Sequence, residues 1–176
     1  MVFPILAFNL KWTKVHVCSI SEGICHVASN ETFVIANGIT VNSDKSHVFV
    51  NDVAEKLVTV LRREENFQLV KESVIKLPVA ADNIEYDGEA NEILIGTIPD
   101  IQALMKFMDG DKTVAIPGGM AIASSTSSGW KVKDVLEHDG TKLSGISAAL
   151  RFGSKIVLGS PGSEGILVCY DVTTTN

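Results

Sequence analysis

The strongest constraint on this chain is an internal repeat. One segment reads Asn37-Gly38-Ile39, then Val48-Phe49-Val50-Asn51, then Leu57-Val58-Thr59-Val60-Leu61. A second reads Asp82-Asn83-Ile84, then Ile93-Leu94-Ile95-Gly96, then Ala103-Leu104-Met105-Lys106-Phe107. A third reads Ser144-Gly145-Ile146, then Ile156-Val157-Leu158-Gly159, then Ile166-Leu167-Val168-Cys169-Tyr170. The opening isoleucines stand at 39, 84 and 146, and the next apolar run starts at 48, 93 and 156. A period of about 45 residues with several short strands per unit is the pattern of β-propeller blades. The longer interval before the third unit predicts an insertion around Pro117-Gly118-Gly119 and the stretch 124–128.

Short apolar alternations broken by Gly, Asn, Asp and Ser run along nearly the whole chain, and helical periodicity is almost absent. That argues for an all-β fold. The expectation is a partial propeller of about three four-stranded blades; a β-sandwich with repeating strands is the alternative. Asp44-Lys45-Ser46, Asp87-Gly88-Glu89 and Gly153-Ser154 sit where the first hairpin turn of each blade belongs. An open arc leaves blade edges and faces exposed. Such a chain is therefore expected to be part of a roughly six-bladed parent, or to self-associate through those edges.

Length and charge narrow the function. With 176 residues, 45% of them hydrophobic, the chain can bury a core. Fifteen basic against twenty-one acidic residues give a net charge of −6, unfavourable for nucleic acid or an anionic membrane. No apolar run approaches the ~18 residues of a membrane-spanning helix. The opening Met1–Phe8 stretch lacks the basic start and cleavage site of a signal peptide. Cys18 and Cys25 flank Ser21-Glu22-Gly23, a candidate hairpin turn. They either pair across it or stay as buried free thiols, the reading favoured on residue statistics.

The repeat also marks a candidate metal site. Asn37 and Asp82 each lie two residues before the opening isoleucine, and Asn83 follows Asp82. These positions precede the innermost strand of adjacent blades, where loops converge on the central channel. Two amide oxygens and a carboxylate form a hard-oxygen set suited to calcium. Ser144 holds the same place in the third unit as a weaker ligand. Asn-Gly and Asp-Asn are also ordinary turn formers, and three oxygens fall short of calcium's usual six to eight.

Several of these stretches resemble one known family. Ile35-Ala36-Asn37-Gly38-Ile39-Thr40-Val41 and its continuation through Val50 resemble a strand-and-turn segment of the paraoxonase/arylesterase family. Ala81-Asp82-Asn83-Ile84 is similar to its Asp-Asn motif, and Ile93–Pro99 to its apolar-Gly-x-x-Pro segment. The likeness covers roughly residues 15–171, so 1–14 reads as a non-matching segment and 15–176 as the C-terminal half of such a propeller.

The resemblance implies a six-bladed, calcium-dependent hydrolase of esters and lactones. It maps second-half ligands of the catalytic calcium onto Asn37, Asp82 and Asn83. The remaining ligands and the histidine pair assigned as base belong to the absent half. None of His16, His26, His47 or His138 matches that pair, so no catalytic residue is assigned. Cys169 matches a cysteine whose disulfide partner is missing here, and is expected as a free thiol. Asn30-Glu31-Thr32 is a glycosylation sequon. The resemblance implies secretion, with membrane or lipoprotein association through the absent N-terminal part. A gluconolactonase-like lactonase and a non-catalytic propeller remain the alternatives.

Overall fold

The computed structural model describes residues 10–170. The reading of Met1–Phe8 lies outside the described residues.

Consecutive apolar residues become strands with two buried faces. In β4 (His47–Asp52) and β8 (Glu92–Ile98), side chains alternate across the sheet, yet both sides are covered. Phe49 packs with Val58, Val60, Ile84, Ile93 and Ile95 in one core, whereas Val50 joins Val15, Phe33 and Leu61 in another. Ile93 and Ile95 face the first core, and Leu94 joins Met120, Ile146, Ile156 and Leu158 in a third. Runs such as Val48-Phe49-Val50 and Ile93-Leu94-Ile95 are thus what a sheet stacked between two others requires.

The described residues are nearly all β, in four antiparallel sheets consistent with an arc of propeller blades, and none of these sheets closes into a barrel. A two-stranded hairpin comes first, β1 (His16–Ser19) with β2 (Ile24–Val27). Next is a four-stranded sheet of β3 (Ala36–Val41), β4, β5 (Leu57–Arg63) and β6 (Leu69–Lys76). The second four-stranded sheet holds β7 (Ala80–Asp87), β8, β9 (Gly118–Thr126) and β10 (Gly129–His138). Last come β11 (Ala148–Phe152), β12 (Lys155–Gly159) and β13 (Leu167–Tyr170). The described residues therefore form two four-stranded blades, a three-stranded one and a hairpin, where three four-stranded blades were expected. All three anticipated turns join the first two strands of their sheets.

Three expectations need correction. Ala103–Phe107, aligned above with strand Leu57–Leu61, lies inside helix α1 (Ile101–Met108). Asp100 caps that helix, its carboxylate accepting from Ala103 N at 3.0 Å. The insertion is therefore α1 and the loop after it, whereas Gly118–Thr126 forms the third strand of the second blade. Cys18 and Cys25 are neither buried nor free. They stand directly opposite each other in the β1–β2 hairpin and form a disulfide, because that turn brings residues seven apart into register. Finally, the third unit is displaced. Ile39 pairs with Val50 and Ile84 with Ile95, but the equivalent Leu158 pairs with Ala149, not Ile146. Ser144 lies outside the strand, bonded to Ser163 and Ile116.

Candidate functional site

Both pairs of residues marked by the repeat sit on β-bulges. In β3, Asn37 and Gly38 together oppose the single residue Asn51, between the pairs Ala36–Asp52 and Ile39–Val50. In β7, Asp82 and Asn83 oppose Gly96 in the same way. A bulge places two residues against one and re-aims their side chains. Here it sets polar groups at the same end of the first strand in adjacent blades.

The two bulges meet. Asn37 Nδ2 donates to Asp82 Oδ1 at 2.6 Å, across 45 residues of sequence. Gly38 makes this approach feasible. A Cβ there would lie 2.7 Å from Ile84 N, 2.8 Å from Asp82 O and 2.9 Å from Asn83 Cα, closer than packed carbon atoms tolerate. Asn83 points toward the last blade, its backbone N and Nδ2 both donating to Ser147 O, at 2.8 and 3.0 Å. Gly96 repeats the role of Gly38, since a Cβ there would lie 2.6 Å from the Ser147 carbonyl.

Two residues that the sequence reading passed over hold this end in place. Asp52 is fully buried, and its carboxylate accepts from the backbone N–H of Val34, Ile35, Ala54 and Glu55 at 2.7–3.3 Å. That ties the segment entering β3, just ahead of Asn37, to the β4–β5 turn. Asn51 is also fully buried, and its Nδ2 donates to Ala81 O at 2.8 Å, immediately before Asp82. Asn51 Oδ1 is the one buried side-chain polar atom without a hydrogen-bond partner among the described residues. A polar pair ending an apolar strand was the available clue.

The electrostatics point the same way. Burial pushes the Asp82 carboxyl above the ordinary carboxylate range, and the Asn37 amide opposes that only in part. A half-buried carboxylate whose side-chain donor is a neutral amide is under-compensated, and a cation would relieve it. No group of three or more His, Cys, Asp or Glu side chains suited to a metal occurs among the described residues. The donor set is instead one carboxylate and two amides, with the orphaned Asn51 oxygen beside the first bulge. These are hard oxygens, which fit calcium in chemistry though not in number.

The histidines stand elsewhere. His16 and His26 are exposed on the first hairpin. His47, at the hairpin-turn end of β4, contacts Glu72 Oε2 through Nε2 at 2.7 Å and Ser46 Oγ through Nδ1 at 2.8 Å. His138 shares the end of Asp82, but β8 and β9 lie between their strands, about 14 Å at the usual strand spacing. Its Nδ1 accepts from Gly140 N. Cys169 is a free thiol packed against the third core. Asn30 is exposed. No helix among the described residues is long and apolar enough to cross a membrane.

The chain is similar to known proteins over most of its length. The chain is 32% identical over 157 residues to human serum paraoxonase/lactonase 3, covering 88% of this chain and 42% of that protein. It is 31% identical over 152 residues to bovine serum paraoxonase/arylesterase 2, covering 86% and 42%. The chain thus spans about two fifths of the length of the curated relatives it matches. A solved structure of a protein of unknown function from Desulfotomaculum acetoxidans superposes over 89% of this chain and 54% of its own, with a TM-score of 0.49 and 10% identity. That overlap is too slight to carry weight. The arylesterase family model matches residues 4–168, and the chain belongs to the paraoxonase/arylesterase family.

Proposed function

We propose that this chain supplies part of the calcium site of an esterase or lactonase acting on small carboxylic esters, with Asn37, Asp82 and Asn83 as its ligands. The observation that carries the reading is the meeting of Asn37 and Asp82 on facing bulges. Held by these residues, calcium would supply polarisation of the ester carbonyl and stabilisation of negative charge on its oxygen. Asp82 contributes the charge. Turning the Asn37 amide exchanges its donor for an acceptor, and the Asn83 amide oxygen remains once its nitrogen is bonded to Ser147. Gly38 and Asn51 hold the two bulges together.

The same residues set a limit. Three side-chain oxygens are fewer than calcium's usual complement, and none of the four histidines stands beside the bulges. We therefore assign weak calcium binding and little hydrolysis to this chain by itself. The other ligands and the base would come from further blades, whose natural place is the outer face of the last sheet. Leu150, Phe152, Val168 and Tyr170 are exposed there, and blades bury such faces against one another. Relatives with serum in their names support secretion, and in a secretory host Asn30 is then expected to carry glycan.

Calorimetric titration with calcium chloride tests the metal reading. Saturable binding that Asp82→Asn weakens at least tenfold supports it. Undiminished binding in that variant, or robust chelator-sensitive phenyl acetate hydrolysis by the chain alone, overturns the assignment as stated.

A further inference from the structure

A cavity lies between the two four-stranded sheets, toward the hairpin-turn end and away from the bulges. It measures about 600 Å³, within the range of small-molecule sites. Its wall is aromatic. Phe49 stacks on Tyr86 with centroids 5.8 Å apart and meets Trp130 edge-on at 5.6 Å. Phe49 is buried, while Tyr86 and Trp130 are half-buried and line the opening.

Permanent charge is sparse in the wall of this cavity. Its lining contains a single carboxylate, Glu72, and no lysine or arginine. Glu72 is half exposed although it touches His47. Burial first, then the Asp44 and Asp87 carboxylates, raise the pKa of the Tyr86 phenol; of these two acids, Asp87 is already paired with Arg151 at 2.6 Å. Arg62, on the strand position facing His47, is held by Glu64 at 2.6 Å.

Much of the neutral polar equipment is already committed. The Asn42 amide donates to Ser46 and accepts from the His47 backbone N–H. Asn91 accepts from the Tyr86 hydroxyl. A neutral polyol would have to displace these bonds. An ammonium group needs only ring faces and a counter-charge.

We propose that this cavity binds a small organic cation, with Trp130 and Tyr86 against the ammonium group and Glu72 as its counter-ion. The site is independent of the calcium reading, being at the other end of the blades.

The test uses the full chain carrying Trp12→Phe, so that Trp130 is the sole indole reporting. Choline chloride and its neutral isostere 3,3-dimethylbutan-1-ol are titrated while fluorescence is followed. The expected result is a saturable change with choline, at least about fivefold weaker with the alcohol. Glu72→Gln should weaken choline by a similar factor, with an unchanged urea midpoint. Trp130→Leu should abolish binding, read by a choline methyl saturation-transfer signal. If Trp130→Leu does not fold, the half-exposed Glu72→Gln decides alone. Equal binding of choline and alcohol, saturable binding of glucose in place of choline, or no saturable response from folded protein would each overturn the proposal.

Discussion

Replacing Gly38 with alanine should damage the molecule through one contact that can be followed in detail. The added methyl carbon would sit 2.7–2.9 Å from three backbone atoms of the neighbouring blade. Normal carbon contacts are about 3.5–4.0 Å, so the two bulges must separate by several tenths of an ångström. Backbone on both sides leaves no side chain free to swing away. Overpacking of this kind costs about 1–3 kcal/mol. For a chain of this length that lowers Tm by about 2–4 °C per kcal/mol. Gly88→Ala is the matched control, because its methyl would meet only Ser43 Oγ at 2.5 Å, an exposed hydroxyl able to rotate. Its cost should stay within about 0.5 kcal/mol. Urea melts of both variants and the parent chain, in excess chelator, separate the cases. A calcium titration should then show Gly38→Ala binding more weakly, since the carbonyl displaced belongs to Asp82 itself. Equal stability of the two alanine variants would refute the close approach of the bulges, and with it the geometry assigned to Asn37 and Asp82.

Asp82 gives a pH signature in the metal-free chain. Because its folded pKa is raised, its contribution to stability is full below the unfolded value of about 3.9 and fades as pH rises through the folded value. Asp82→Asn should therefore gain on the parent between acid and neutral pH, and urea midpoints across that range with the opposite trend would refute the assignment. Thiol titration of the denatured, unreduced chain should find one reactive cysteine, Cys169, and three after reduction. Cleaving the Cys18–Cys25 bond should cost at most about 2.4 kcal/mol from loop entropy. Asp100→Ala, which removes the cap of α1, should cost about 1 kcal/mol by urea titration.

What could be read from the sequence followed from burial. Val48-Phe49-Val50 and Ile93-Leu94-Ile95 announce strands because a stacked blade hides both faces, and that pattern survives without knowledge of neighbours. Asn37 and Asp82 could be paired because equivalent bulges recur on consecutive blades. Ala103–Phe107 was misplaced because a five-residue apolar run does not distinguish strand from helix. The Pro99-Asp100 start signal was the arbiter passed over. Ile146 was matched by its triplet, although Leu158 faces Ala149, because this hairpin lacks the bulge that lengthens the first strand of the other two sheets. The disulfide depended on register within a hairpin, which spacing alone left open. The contribution of Asn51 was invisible for a similar reason, since its partner Ala81 lies in the next blade.

The second four-stranded sheet serves as the keystone of the arc. Ile93 and Ile95 lean to one side of β8 and Leu94 to the other, so a single strand closes two seams at once. A one-residue insertion ahead of Ile93 would flip all three and hand each seam the side chains shaped for its opposite. Both neighbours would lose their fit together, and the arc would come apart from its middle, not its ends.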